Sequence, residues 1–532
     1  MKNFDIAVIG GGPAGYTAAL RSVGHGKSVV LFEEKLIGGT CLNAGCIPTK
    51  AALDAAKRYR GVIDALNGEF KYVAYPNLLS GFGSANKEKD EAADAPPNVT
   101  FNFKAANEKK DAAVRKLRDN LTKYLLRSKI EIVNARASFL DGKTLRANGD
   151  VYCAENIIVA SGGRCADYGI EGMGEAYSSD RWTDEIASGS DVIVIGGGAV
   201  GIEIASFYNM TGAKVTMLMT EEKPLPAYDG DISASVRTVL KKKGIDLKTS
   251  ARVVSVRGRA AEEDANAGGG LNSGSISESD AKAGANINGE GTRADGRGRT
   301  YTVRYEYGGE ILGMDCGVVI DASGRAPCTD TAGLDRAGIK YDASGIFTDE
   351  NFMTNVDGVY AAGDVARGNA RLAHKAAFDA EQIIEHILTG APVDKNPVVP
   401  MCIYASPEIA CAGMTAEDCA RTGAEYRSAK ATLGANGKAA ACGAENGFVK
   451  VVFAKIDAAE KVLSGVKYIE SKKNVFRLVG AHIIAESSSE FIGGIASLIT
   501  GGADGAEILR TVYPHPSISE AFREACARAN NS

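Results

Sequence analysis

Two glycine-rich segments, Gly10-Gly11-Gly12-Pro13-Ala14-Gly15 and Gly196-Gly197-Gly198-Ala199-Val200-Gly201, each follow an apolar run and open a helical pattern. In such a segment the first glycine permits a tight turn. The second lets the backbone approach a pyrophosphate, and the third lets helix and strand pack closely. The apolar runs Phe4 to Ile9 and Val192 to Ile195 supply the strand that each segment must follow. A chain carrying both is committed to two βαβ units on largely parallel sheets, and each unit presents a helix N-terminus to an anionic ligand.

At 532 residues the chain is too long for one hydrophobic core. The fold class expected is α/β, with two Rossmann-like dinucleotide-binding domains and a C-terminal α+β domain. The boundaries read as 1–160 for the first nucleotide domain and 161–317 for the second. The return to the first domain is placed at 318–395, beginning with the apolar run Val318 to Ile320. Pro392, Pro397 and Pro400 mark a linker, after which 399–532 alternates strands such as Phe448 to Phe453 with helices. Two segments stand out as excursions. Residues 84–98 are charged and end in a proline pair. Residues 258–300 are rich in Gly, Ala, Asn, Ser and Glu with almost no large apolar side chains, which predicts a disordered loop grown out of a β-hairpin.

The two nucleotide sites differ in one chemical respect. Glu33, at the end of the strand after the first glycine segment, can accept a hydrogen bond from a ribose hydroxyl. Gly10, Gly12, Gly15 and Glu33 therefore form one candidate site, and Gly196, Gly198 and Gly201 a second. At the matching offset in the second unit stands Met219, followed by Thr220, Glu221 and Glu222. Two carboxylates repel a 2′-phosphate, which favours NAD over NADP, while Lys223 within reach keeps NADP open.

Soon after the first unit comes Gly38-Gly39-Thr40-Cys41-Leu42-Asn43-Ala44-Gly45-Cys46-Ile47-Pro48-Thr49-Lys50. Cys41 and Cys46 can close a small disulfide ring, with Gly45 at a tight bend and Pro48 suited to a first helical turn. A helix N-terminus stabilises a thiolate, which fits Cys46 and leaves Cys41 to meet an outside thiol. Spacing alone also allows a structural ring or half of a metal site. Zinc wants about four ligands. The other nine of the eleven cysteines are scattered and there are five histidines, so no metal site is expected. Near the C-terminus, Tyr513-Pro514-His515-Pro516-Ser517-Ile518-Ser519-Glu520 holds a histidine between two prolines. Imidazole suits proton transfer to and from sulfur near neutral pH. Glu520 can fix its tautomer, and Ser517 with Glu520 also reads as a helix capping box.

These motifs together resemble the pyridine nucleotide-disulfide oxidoreductases, most of all the members that oxidise dihydrolipoamide. The resemblance covers most of the chain and includes Ala362-Gly363-Asp364-Val365, Leu372-Ala373-His374-Lys375-Ala376 and Tyr404-Ala405-Ser406-Pro407-Glu408. It implies FAD at the first site with Asp364 toward the ribityl chain, and Lys50 beside the flavin paired with Glu203. It also implies NAD at the second site and a homodimer formed through the C-terminal domain, in which His515 serves the cysteines of the other subunit. The implied reaction passes electrons from dihydrolipoamide through Cys41, Cys46 and FAD to NAD. The implied partner is a lipoyl-bearing protein of a 2-oxo acid dehydrogenase or glycine cleavage system. Met219, Tyr513 and Ser161-Gly162-Gly163 depart from the family's usual residues.

Two other functions compete. One is an NADPH-dependent reductase of a glutathione-like or other disulfide. The other is a non-catalytic docking subunit of a lipoyl-bearing complex, against which the retention of Cys41, Cys46, Lys50 and His515 argues. A formal charge of −5 gives no basic excess for nucleic acid. The N-terminus lacks a basic region before its apolar run, no apolar stretch approaches about 18 residues, and the expected location is cytoplasmic.

Overall fold

The computed structural model describes residues 1–68, 99–183, 191–260, 298–455 and 475–531. Lys2–Ile9 is the central strand of the first sheet, flanked by Val29–Phe32 and Asp150–Val159, all parallel. Glu131–Val133 extends the sheet on one side, and Val359–Ala361 pairs in parallel with the end of Asp150–Val159 on the other. The last pairing brings the chain back after some 200 residues. Ile6 to Ile9, Val29 to Phe32 and Ile157 to Val159 are all buried, the uniform apolar pattern of a parallel sheet covered on both faces.

The second sheet is parallel throughout, in the order Asp246–Lys248, Val215–Leu218, Val192–Ile195, Val318–Asp321, Tyr177–Ser178. This corrects the placement of Val318, which belongs to the second nucleotide unit and not to the returning first one. Its register is Val318 to Asp321 against Val192 to Ile195. A fully buried parallel strand reads the same in either sheet, so the apolar run alone did not distinguish them. The crossing back runs through a small antiparallel pair, Gly163–Cys165 with Arg325–Pro327.

Arg252–Ala260, Arg299–Tyr307 and Glu310–Cys316 form an antiparallel meander beside the second sheet. The expected insert at 258–300 is thus trimmed at both ends, because residues 258–260 and 299–300 are paired strand. The rest of it that falls in 261–297 lies outside the described residues, as does 84–98. The C-terminal region is a five-stranded antiparallel sheet in the order Met401–Ile403, Ile409–Gly413, Phe476–Ile484, Phe448–Lys455, Tyr426–Thr432, packed against helices Ser488–Thr500 and Ser519–Asn531. Among the described residues no helix is long and apolar enough to cross a membrane.

Candidate active site

The two glycine loops are built alike. Gly10 and Gly196 have φ of +107° and +117°. A Cβ at either would lie 2.3 Å from a backbone carbonyl oxygen, that of Ala160 or of Ala322. A Cβ on Gly15 or Gly201 would strike the carbonyl of Gly10 or Gly196 at 1.8 or 2.2 Å. Gly12 and Gly198 cap helices Pro13–Gly24 and Ala199–Met210 in extended conformation with no side-chain cap. The first-turn N–H groups of both helices are thereby left for an anion.

The cysteine segment docks onto the first loop. The Gly38 N–H donates to the Gly11 carbonyl at 2.8 Å. Gly39, with φ of +59°, approaches so closely that its Cβ would lie 2.7 Å from the Cα of Gly12. Cys41 sits in the short helix Gly39–Asn43, and Cys46 is the first residue of helix Cys46–Gly68. Asn43 ties the segment down by donating to the carbonyls of Ile37 and Gly39, each at 3.0 Å, and accepts from Arg118 at 3.3 Å. Asn43 stands inside the cysteine motif but was given no role there, and Arg118 lies outside every motif.

Cys41 and Cys46 are free thiols, half-buried and in hydrogen-bonding contact. The Cys41 thiol, donating to Cys46, and then the Lys50 charge bring Cys46 down to about 7 against the opposing effects of burial and Glu203. The same contact, burial and the negative charge on Cys46 push Cys41 up. Lys50, one helical turn after Cys46, holds both oxygens of Glu203 at 3.0 Å. Glu203 also accepts from the Tyr404 N–H at 2.9 Å, and Lys50 Nζ lies 4.7 Å from the centre of the Tyr404 ring. Glu203 is buried, so the pair joins the cysteine helix, the second glycine-loop helix and the C-terminal region at one point.

Asp364 comes to the first loop from the returning chain. A Cβ on Gly363 would meet that of Ala14 at 3.4 Å, and one on Gly163 would lie 3.1 Å from the Asp364 carboxylate. Burial raises Asp364, while Arg325 and Arg371 oppose the rise. Arg325 donates to Asp180 at 2.5 Å and to the Gly163 carbonyl at 2.6 Å, with Nε 3.9 Å from Asp364. Sequence reasoning missed Arg325, whose contacts come from distant segments and leave no periodic signal.

Glu33 accepts from the N–H groups of Gly11 and Lys35, both at 2.8 Å, so its carboxylate braces the first loop as well as facing it. His515 is exposed and pairs through Nδ1 with Glu520 Oε1 at 3.0 Å. Glu520 Oε2 accepts the Ser517 N–H at 2.9 Å, and these two contacts hold Glu520 below the usual carboxylate range. One half of the capping box is therefore made. The Ser517 hydroxyl pairs instead with that of Ser519 at 2.8 Å. Within one chain His515 is engaged by Glu520 and not by Cys41 or Cys46. Among the described residues no group of His, Cys, Asp and Glu is arranged to hold a metal.

A flavin dinucleotide fits these residues: the glycine cradle takes a pyrophosphate, Glu33 and Asp364 offer acceptors to its hydroxyls, and Lys50 places a cation beside the thiols. Residues 4–380 match the family model for pyridine nucleotide-disulphide oxidoreductases, and 399–469 and 465–526 match the dimerisation domain of that family. The chain is 30% identical to dihydrolipoyl dehydrogenase of Geobacillus stearothermophilus over 98% of its length and 95% of the relative's. It is 29% identical to dihydrolipoyl dehydrogenase of Bacillus subtilis, over 99% of this chain and 97% of that one. The HOCl-induced flavoprotein disulfide reductase RclA from Escherichia coli shares the fold, with a TM-score of 0.73 at 21% identity, over 98% of this chain and 99% of that one. With a family match spanning both nucleotide units and the C-terminal region, the chain belongs to the pyridine nucleotide-disulphide oxidoreductases, a family of FAD- and NAD(P)-using enzymes.

Proposed function

We propose that this protein oxidises dihydrolipoamide carried on a lipoyl-bearing protein and reduces NAD, as a homodimer in the cytoplasm. The observation that carries the reading is the placement of the cysteine pair: Cys46 opens its helix with Lys50 one turn on and paired with Glu203, while Cys41 sits in the preceding short helix that docks on the first glycine loop. In the oxidised state the two are joined as a disulfide. A substrate thiolate attacks Cys41, the Cys41–Cys46 bond breaks, and Cys46 leaves as the thiolate that Lys50 stabilises. His515 of the partner subunit takes the proton of the second substrate thiol, with Glu520 holding its Nδ1. That thiolate then displaces Cys41 from the mixed disulfide and leaves a cyclic substrate disulfide. FAD, when bound, would supply a two-electron acceptor between the Cys41–Cys46 pair and the nicotinamide nucleotide. Gly10, Gly12, Gly15, Glu33, Lys50 and Asp364 would hold the flavin, Gly196, Gly198 and Gly201 would hold NAD, and Glu203 fixes Lys50.

A second reading, NADPH-dependent reduction of another disulfide, draws support from Met219, which puts no carboxylate at the ribose position of the second site. Anaerobic mixing of the holoprotein with dihydrolipoamide and NAD, beside a mixture of glutathione disulfide and NADPH, separates the two. The proposal predicts stoichiometric NADH in the first and little turnover in the second; the reverse result would replace it with the disulfide-reductase reading.

A further inference from the structure

The two glycine loops superimpose in their constraints but not in the side chain that faces their second residue. In the first loop a Cβ on Gly11 would lie 3.1 Å from the Glu33 carboxylate, which accepts the Gly11 N–H at 2.8 Å. In the second loop a Cβ on Gly197 would lie 2.7 Å from the Met219 sulfur. Met219 is buried, and its thioether occupies the place of the carboxylate. Its backbone is anchored as that of Glu33 is: the Met219 N–H donates to the Lys248 carbonyl at 3.0 Å, and the Glu33 N–H to the Val133 carbonyl at 3.1 Å. The substitution therefore changes the chemistry at this point and leaves the scaffold in place.

A carboxylate here acts twice on a bound nucleotide. It accepts from a ribose 2′-hydroxyl, and it repels a 2′-phosphate. A thioether does neither, being a weak acceptor without charge. The charged groups that follow in sequence are Glu221, Glu222 and Lys223, all exposed and of both signs, and water screens them. Lys248, on the adjoining strand, is paired with Asp246 at 3.1 Å. We infer that Met219 is the selectivity position of the second site, and that this site binds adenine nucleotides with and without a 2′-phosphate at comparable strength. The inference rests on the reading of that site as the nicotinamide nucleotide site, and it extends the co-substrate from NAD to NADP.

Equilibrium binding tests it without using turnover. The FAD-loaded protein is titrated by calorimetry with 5′-AMP and with adenosine 2′,5′-bisphosphate, for the wild type, Met219→Glu and Met219→Gln. The wild-type dissociation constants should agree within about tenfold. In Met219→Glu the ratio should move at least about tenfold further in favour of 5′-AMP, the effect of one charge-assisted hydrogen bond gained for one ligand and a repulsion gained for the other. Met219→Gln, which adds an acceptor without charge, should move it less, and it serves alone if the charged variant does not fold. A wild-type preference for 5′-AMP above about a hundredfold overturns the inference, as does an unchanged ratio in a folded Met219→Glu protein. Binding of neither ligand to the wild type would overturn it together with the second-site reading, whereas failure of dihydrolipoamide turnover with normal nucleotide binding would touch only the proposed substrate.

Discussion

Lys50 and Glu203 form one ion pair, yet they act on Cys46 in opposite directions. Lys50 lowers Cys46 and Glu203 raises it. Side chains four residues apart on a helix have Cβ atoms roughly 6 Å apart, and a charge separation on the order of 7 Å sets the scale of the effect. At an effective dielectric of about 20, a unit charge at that distance contributes about 2 kcal/mol, or roughly one and a half pH units. Lys50 is one-third exposed, and water trims this toward about one unit. Lys50→Met should therefore move the Cys46 midpoint from about 7 to about 8 or slightly above. Glu203→Gln should move it the other way, because it removes a negative charge and frees Lys50 to face the sulfur. Its amide oxygen can still accept the Tyr404 N–H, which limits structural loss. The assay is a pH titration of thiolate absorbance near 240 nm in the reduced protein, with Cys46→Ser as the blank. Both variants moving the midpoint in the same direction, or Lys50→Met leaving it unchanged, would refute the electrostatic account of this thiolate.

Two further outcomes follow from the geometry. Glu520→Gln keeps an acceptor for the Ser517 N–H but loses the charge that supports His515, so kcat/KM for dihydrolipoamide should fall by about tenfold or more while Tm stays within about 2 °C; a normal kcat/KM would remove Glu520 from the proton path. Lys450 bridges the fully buried Asp229 at 2.8 Å and Asp231 at 2.9 Å, joining the second nucleotide unit to the C-terminal sheet. Lys450→Met should cost about 3 kcal/mol or more in denaturant unfolding because it strands a buried carboxylate, and adding Asp229→Asn should return much of it. A loss below about 1 kcal/mol would show that the bridge contributes little.

The legible features were those encoded locally. Gly10, Gly15 and their counterparts Gly196 and Gly201 are fixed by backbone clashes within a few residues or across one strand pair, and the sequence pattern follows from those clashes. Placing Cys46 at a helix start needed only Gly45 and Pro48 beside it. What local pattern could not carry was pairing between distant segments. Val318 to Asp321 reads as a buried strand in any sheet, and only its register against Val192 to Ile195 assigns it. Arg325 joins Asp180, Gly163 and the edge of Asp364, and Tyr404 offers a backbone N–H to Glu203, a contact that no side-chain pattern records. His515 was legible as a histidine held by Glu520, while its approach to the cysteines belongs to the proposed dimer.

In the proposed mechanism reducing equivalents enter through Cys41. Anaerobic titration of dihydrolipoamide into the FAD-loaded protein with excess NAD measures this directly. Entry at Cys41 predicts one NADH per dihydrolipoamide in the wild type and none above background in Cys41→Ser, with the flavin still bound. Undiminished NADH formation by Cys41→Ser would contradict it.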